Sequence, residues 1–278
     1  MYMTKRVTKR GFGKMLAAAA VVVTVPMHCA AAWAQDSAPD NAPHSAPAPT
    51  LSITLAPGAP DARGMVPYVD VTIVAEAMHE AVDEPMLRLP IMSNTVVTSA
   101  GVLENLTLSD ANGPIAAETM DFDADSSNRF RFWKAPRAVD GTVTVRYRVP
   151  IDADAPPLGL PQYEMRTEEG TFSAAGIAFL LLPEDETRRI VHVSWDFSAY
   201  GADGVGASSF GVGDVTSSGP IPARQASSAY YMGGRPGIYR APGGGFFGAW
   251  QGETPFAMDG VMEWAAGLQR FYGQFFGY

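Results

Sequence analysis

Cysteine and histidine are scarce in this 278-residue chain, which contains one cysteine, Cys29, and four histidines. Cys29 lies within a predicted export signal, so we expect the exported chain to have neither a disulfide nor a thiolate site. Three of the histidines, His44, His79 and His192, follow the signal and lie far apart in the sequence. We therefore predict no metal ligand and no cofactor site in this chain.

Lysine is almost absent after residue 34, where Lys134 is the only one. Residues 1–34 contain five basic residues and no acidic one, so the rest of the chain holds 29 acidic against 15 basic residues, a formal net charge of −14. Phosphate contacts need Lys and Arg, and this excess of negative charge therefore argues against nucleic acid and anionic membranes as partners. Schiff-base chemistry is excluded everywhere except at Lys134, which we interpret as a surface residue at a strand end.

The N-terminus has the features of a secretory signal. Residues 4–14 are basic, Met15 to Val25 is an apolar run too short to span a membrane, and Ala32-Trp33-Ala34 fits a cleavage site. We predict a signal peptide over 1–34, a periplasmic or secreted location, and membrane contact only during export. The segment at 8–14 resembles a twin-arginine motif with Lys9 in place of the first Arg, so the choice between the two export routes stays open.

The chain after the signal changes from linker to strands. Residues 35–50 are rich in Pro, Ala and Ser and have no apolar period, which predicts a disordered linker. From residue 51 onward, apolar and polar residues alternate in five short segments, which predicts half-buried strands of an antiparallel β-sandwich over 51–248. These segments are Leu51–Leu55, Val69–Val74, Phe130–Trp133, Val143–Val149 and Val191–Trp195.

Two further segments have a distinct composition. The continuous apolar run Ile177–Leu182 predicts a centrally buried strand. Residues 199–248 are rich in glycine with scattered aromatics, which indicates irregular strands and loops, or alternatively an aromatic sugar-binding platform. Asn112-Gly113 and Asp140-Gly141 are typical turn sequences.

Four motifs lack part of what their chemistry needs. Gly243–Gly248 fits a dinucleotide pattern but has no helix directly after it, and Asp121–Asp125 has calcium-loop spacing without the later glycine and glutamate. His79-Glu80 matches half of a zinc helix motif, but Asp83 stands at the second histidine, so we predict a polar loop. His192 and Ser194 share a strand face without a third catalytic partner. We predict no catalytic residue among them.

The C-terminal segment, 249–278, predicts an amphipathic helix from about Pro255 to Phe276. Thr254 at the N-cap and Pro255 at N1 indicate the start. The spacing of apolar residues by four and three predicts one buried stripe, formed by Val261, Ala265, Leu268, Tyr272 and Phe275. On the same helix, Trp264, Leu268 and Tyr272 are our candidate residues for docking a partner.

Several of these segments together resemble the N-terminal part of the M61 metallopeptidases, the glycyl aminopeptidase type. The resemblance rests on the export signal, on Gly141–Tyr147 and Ala178–Pro183 in the β-rich region, and on the helix that begins Pro255-Phe256 and ends in Phe-Phe. It implies a β-domain followed by a zinc-binding helical domain, which would lie beyond Tyr278. No zinc or catalytic residue of that family falls on a position of this sequence.

The resemblance implies that this chain is a non-catalytic part of a peptidase, inactive alone, with helix 249–278 opening a second, truncated domain. Its partners would then be a peptide substrate or the missing catalytic domain. Two other classes remain open from the sequence. One is a periplasmic protein-binding module that docks through its terminal helix, and the other is a carbohydrate-binding module that uses the glycine- and tyrosine-rich stretch.

Overall fold

A computed structural model describes residues 22–23, 47–156 and 160–277 of the chain. Apart from Val22 and Val23, the predicted signal lies outside these residues, as does the predicted linker up to residue 46. Two helices are present in the described part, the short α1 (Ala223–Ser228) and the long α2 (Met258–Phe276), together with 3₁₀ turns at Ser99–Gly101, Gly176–Ala178 and Gly201–Asp203.

Strands make up most of the regular structure in the described residues. In chain order they are β1 (Val22–Val23), β2 (Thr50–Pro57), β3 (Tyr68–Glu80), β4 (Pro85–Ser93), β5 (Val96–Val97), β6 (Glu104–Asp110), β7 (Gly113–Pro114), β8 (Glu118–Asp123), β9 (Arg129–Lys134), β10 (Val139–Pro150), β11 (Arg166–Glu168), β12 (Thr171–Ala175), β13 (Leu182–Pro183), β14 (Arg188–Trp195), β15 (Val205–Ser208), β16 (Gly211–Val212), β17 (Val215–Thr216), β18 (Ile221–Pro222), β19 (Tyr230–Gly234), β20 (Gly237–Arg240) and β21 (Phe247–Trp250).

The largest sheet has eight strands in the order β17-β14-β2-β3-β10-β6-β7, with β18 also paired to β14. Neighbours are antiparallel except β14 and β2, which run parallel from Ile190 opposite Thr50 to Trp195 opposite Leu55. One face of β2 is fully buried through Leu51, Ile53 and Leu55, while the residues between them are partly exposed. The alternation in the sequence therefore corresponds to half-buried strands, as predicted.

Three smaller sheets accompany the eight-stranded one. Their orders are β13-β4-β9-β8 with β5 attached to β4, β11-β12-β19-β15-β16, and β1-β21-β20. Side chains of the eight-stranded sheet and of the first two smaller sheets form one continuous hydrophobic core, whose largest members include Phe172, Phe179 and Tyr231. The predicted mainly β fold with antiparallel sheets and one C-terminal helix is confirmed.

Two local predictions were wrong. The apolar run Ile177–Leu182 is mostly buried, but it forms a 3₁₀ turn at Gly176–Ala178 and reaches β13 only at Leu182. A continuous apolar run is typical of a central strand, but periodicity cannot distinguish such a strand from another buried segment. Asp140-Gly141 does not form a turn, because both residues lie inside β10, where Gly141 has a φ of +99° next to a shift in strand register.

The register shift between β3 and β10 is a β-bulge. Met78 lies opposite Gly141 and Ala75 opposite Val143, so Glu76 and Ala77 together face one residue of β10. Ala77 has a φ of +52°, a left-handed conformation that is uncommon for a residue with a Cβ. A bulge leaves backbone groups without ladder partners, and these groups need donors from elsewhere.

Arg189 supplies those donors from β14. Its side chain is 1% exposed, and it donates hydrogen bonds from Nε to the Glu76 carbonyl at 2.6 Å and from Nη2 to the Ala77 carbonyl at 3.1 Å. The same guanidinium binds both carboxylate oxygens of Asp185, at 2.8 and 2.6 Å. One buried side chain thus fixes the bulge and neutralises a nearby carboxylate.

Candidate functional site: the C-terminal helix

The strand pair His192 and Ser194 does not form a nucleophile–base contact. Nδ1 of His192 lies 2.9 Å from the hydroxyl of Thr216, and Oγ of Ser194 lies 2.9 Å from the hydroxyl of Thr54. His192 therefore bonds to β17 on one side of β14, and Ser194 bonds to β2 on the other side.

The acidic segment around β8 and β9 has its carboxylates paired within the protein. Arg131 donates to both oxygens of Asp121, at 2.7 and 2.8 Å, and its hydrogen bonds lower the pKa of that carboxyl. Arg129 binds Asp123. Asp125 closes the connecting turn through Asn128, whose hydrogen bonds lower the Asp125 pKa. Asp121 to Asp123 lie in strand β8, so only the end of this acidic segment, at Asp125, belongs to a turn.

His79 and Glu80 are the last residues of β3, so the predicted polar loop begins two residues too early. Strand β3 extends past its apolar alternation because its hydrogen bonds with β10 continue to Glu80 opposite Val139. Burial raises the pKa of Glu80, with a smaller effect from the charge of Asp185. Within the described ranges, no group of three or more His, Cys, Asp or Glu side chains is arranged to hold a metal ion.

The glycine-rich motif Gly243–Gly248 begins in the connection between the antiparallel strands β20 and β21 and ends inside β21. Three of its glycines, Gly243, Gly244 and Gly245, have positive φ, which explains the need for glycine in this tight connection. A dinucleotide site needs a parallel strand–helix–strand unit, and this hairpin has a different geometry.

Helix α2 begins later than predicted and packs on that hairpin. It starts at Met258 after Ala257, and the Thr254 hydroxyl bonds to the Phe256 carbonyl instead of capping the helix. Residue 257 keeps an extended conformation, so the chain turns into the helix three residues beyond Pro255. At the other end Gly277, in the left-handed conformation, caps the helix with its N–H on the Gly273 carbonyl.

The predicted buried stripe of α2 was also wrong. The buried residues are Met258, Met262 and Ala266, which pack against Ala241 and Phe246 in a small separate core. Gly248 permits this contact, because a Cβ at that position would overlap the Met262 side chain. The hairpin thus decides which face of the helix is buried, and the aromatic residues lie on the other faces.

The aromatic side chains of α2 form an exposed face, which we name the aromatic face. Trp264 is 68% exposed and Phe275 is 70% exposed, and no residue of α2 after Ala266 is buried. The rings contact one another: Phe271 and Phe275 are nearly parallel with centroids 6.0 Å apart. The exposed members of the face are Trp264, Phe271, Tyr272, Phe275 and Phe276.

Two of the three residues predicted to dock a partner, Trp264 and Tyr272, belong to this face, while Leu268 is half-buried. Sequence reasoning assigned Phe275 to the buried stripe and left Phe271 and Phe276 out of the docking candidates, because helical spacing does not show which side of the helix the core covers. In the described part of the chain, no helix has the length and apolarity that a membrane crossing requires.

Comparison with known proteins gives weak structural similarities. No protein-family model matches the chain, and no curated protein matches it. An aminopeptidase N family protein from Idiomarina loihiensis is 13% identical with a TM-score of 0.46, over 69% of this chain and 30% of that one. An M1 zinc metallopeptidase from Deinococcus radiodurans is 14% identical with a TM-score of 0.36, over 70% and 43%.

Yeast LTA4 hydrolase shows a similarly weak resemblance, with 13% identity and a TM-score of 0.36 over 70% of this chain and 30% of that one. The chain therefore spans less than half of the length of each of these solved structures. At such low identities and TM-scores, the similarities do not assign the chain to a family and transfer no site residue to it.

Proposed function

We propose that this chain is the non-catalytic N-terminal portion of an exported zinc aminopeptidase of the M61 type, inactive alone. In this proposal, the β-sandwich supports a helical peptidase domain, and α2 forms the junction between them. Zinc and peptide substrate belong to the peptidase domain, and no residue of this chain has a catalytic role. The observation that carries the proposal is the aromatic face of α2.

An aromatic cluster of this kind is the type of surface that protein partners cover. Large contiguous apolar patches are rare on soluble monomers, and aromatic side chains supply much of the binding energy at interfaces. The first half of α2 is fixed to the β20–β21 hairpin through Met258 and Met262. The second half has no buried residue, and its exposed rings are available to a neighbouring domain.

Charge favours a partner other than a second copy of the chain. After export the chain has 29 acidic and 15 basic residues, so two copies brought together would repel each other. Between Val261 and Phe276, α2 has only Glu263 and Arg270 as charged residues, so the aromatic face itself presents little charge. We infer that its partner offers an apolar groove between helices.

Sequencing the source locus through and beyond the Tyr278 codon tests this proposal directly. We expect an in-frame or frameshifted H-E-x-x-H motif within the next one to two hundred codons, roughly the length of one domain. A stop codon with no related sequence behind it would contradict the proposal and favour a periplasmic binding module.

A second experiment combines the chain with that downstream domain as two separate polypeptides. We expect zinc-dependent aminopeptidase activity only when both parts are present, and none from the chain alone. Replacing Trp264, Phe271 and Phe275 with alanine should weaken the complex by about a hundredfold or more, since each aromatic anchor contributes about 1–2 kcal/mol. The exposed polar residue Gln274 offers a matched control on the same helix, because Gln274→Ala should leave the complex unchanged.

A further inference from the structure

Three sheets meet at an open pocket of about 190 Å³ on the side of the molecule where β14 ends. Residues from β14, from the β15–β16 hairpin and from β20 line it, among them Trp195, Phe197, Gly206, Asp214 and Arg240. Ligand sites often occur where structural units join, because such junctions are concave and hold groups from several elements. The aromatic face of α2 does not contribute to this pocket.

Two rings form a flat surface in the pocket. Trp195 and Phe197 are two residues apart on the same side of the chain, and their rings are nearly parallel, with an interplanar angle of 6° and centroids 5.7 Å apart. Both rings are half-buried, and each keeps part of its surface open to solvent. We name this pair the ring platform.

Glycines of the underlying sheet make the ring platform possible. A Cβ at Gly206 or Gly233 would overlap the indole of Trp195, and a Cβ at Gly204 would overlap Phe197. The rings therefore lie directly on bare backbone. The Trp195 indole is also held by a hydrogen bond from its Nε1 to the Gly213 carbonyl, at 3.2 Å. This support fixes the rings in the absence of a ligand, which reduces the entropic cost of binding.

Polar groups of both signs border the ring platform. Asp214 accepts the backbone N–H of Trp195 at 3.0 Å through Oδ1, and among the described residues its second oxygen has no hydrogen bond. Arg240 is exposed and has no ion pair within the same part of the chain. The lining of the pocket thus offers an acceptor and a set of donors, and their charges cancel.

We propose that this pocket binds one ring of a neutral saccharide, stacked on Trp195 and Phe197. A pyranose ring presents C–H groups on a flat face, which match an apolar aromatic surface, and hydroxyls at its edge, which donate and accept at once. Asp214 accepts from one hydroxyl and Arg240 donates to another. The formal net charge of −14 over residues 35–278 makes phosphorylated ligands and nucleotides poor alternatives.

The site was only partly foreseen in the sequence. The glycine- and aromatic-rich stretch 199–248 supplies the bare backbone and Asp214, but three of its seven aromatics, Tyr200, Tyr231 and Phe246, are buried and structural. The stacking rings come instead from the end of β14, just before that stretch. Only the tertiary packing of this segment over Gly204 and Gly206 places these rings in the pocket.

Fluorescence titration of the exported full chain with maltotriose, cellotriose and triacetylchitotriose tests the proposal. We expect a saturable change in tryptophan fluorescence with at least one of them, abolished in Trp195→Phe, which keeps a ring in the pocket. Phe197→Leu, Asp214→Asn and Arg240→Gln should each raise the Kd by about three- to tenfold, as expected for the loss of a single stacking or hydrogen-bonding contact. The exposed residue Arg224 lies outside the pocket lining, so Arg224→Gln is the matched control.

Three outcomes would overturn the proposal: no saturable change with any of the three sugars, a change that persists in Trp195→Phe, or Kd values that are unaffected by all three pocket variants. Preferential binding of the zwitterion glycylglycine over the sugars would also overturn it, since that ligand needs only the Asp214 and Arg240 charges. Circular dichroism of each variant shows whether a loss of binding reflects the pocket or a loss of folding. The proposal is independent of the peptidase assignment, because it does not involve α2.

Discussion

Replacing Arg189 with methionine should destabilise the protein more than any single loss of a surface ion pair. Methionine fills a similar volume but donates no hydrogen bond. The change leaves the Asp185 carboxylate without its cation, and it leaves the bulge carbonyls of Glu76 and Ala77 without their side-chain donors. Ala77 then has less to hold it in its left-handed conformation.

The expected loss follows from these contacts. Removing one partner of a buried ion pair costs about 3–5 kcal/mol, because the other charge stays buried and unpaired. Asp185 is 16% exposed, so water reaches it in part and lowers that cost to about 1–2 kcal/mol. The unpaired carbonyls add about 1 kcal/mol each. We expect a decrease of about 3–4 kcal/mol in the free energy of unfolding.

Urea unfolding followed by circular dichroism measures this decrease. The double variant Arg189→Met with Asp185→Asn should regain at least about 1 kcal/mol over the single variant, because it removes the unpaired charge. Arg224 pairs with Glu186 on the surface, and Arg224→Gln should change stability by less than about 0.5 kcal/mol. A loss below about 1 kcal/mol for Arg189→Met, or no recovery in the double variant, would refute the role assigned to Arg189.

Three other predictions concern stability. The buried Tyr147 hydroxyl donates to one backbone group of the 179–181 segment and accepts from another. Tyr147→Phe should therefore lower the free energy of unfolding in urea by about 2–3 kcal/mol. A decrease below about 0.5 kcal/mol would contradict this. Hydrogen bonds from Arg137 lower the Asp110 pKa to about 2, so this pair stabilises the fold above about pH 4, and the stability is lost as the pH falls toward 2. Arg137→Gln should flatten that part of an acid-unfolding curve, and an unchanged curve would argue against the pair. Deleting 255–278 should leave cooperative unfolding of the main core intact, because α2 packs in a separate cluster. Loss of cooperative unfolding in calorimetry would show that the helix is part of the main fold.

The candidate sites differ in how much of them the sequence disclosed. Trp264 and Tyr272 were identifiable because large apolar residues recurred on a helix with polar neighbours. Their exposure was not identifiable, since amphipathic spacing shows only that an apolar face exists and not which partner covers it. Arg189 could not be recognised as a buried residue, because it looked like an ordinary charged residue at the start of a strand.

The sequence by itself determined the half-buried strands β2, β3, β10 and β14, since side chains alternate across a strand and their apolar half had to be buried. It also determined the excess of negative charge and the scarcity of lysine and cysteine, which limit the available chemistry. The tertiary structure decided which face of α2 packs on the β20–β21 hairpin and which rings lie over Gly204 and Gly206. Those features depend on contacts between residues distant in the chain, and no local pattern of spacing records them.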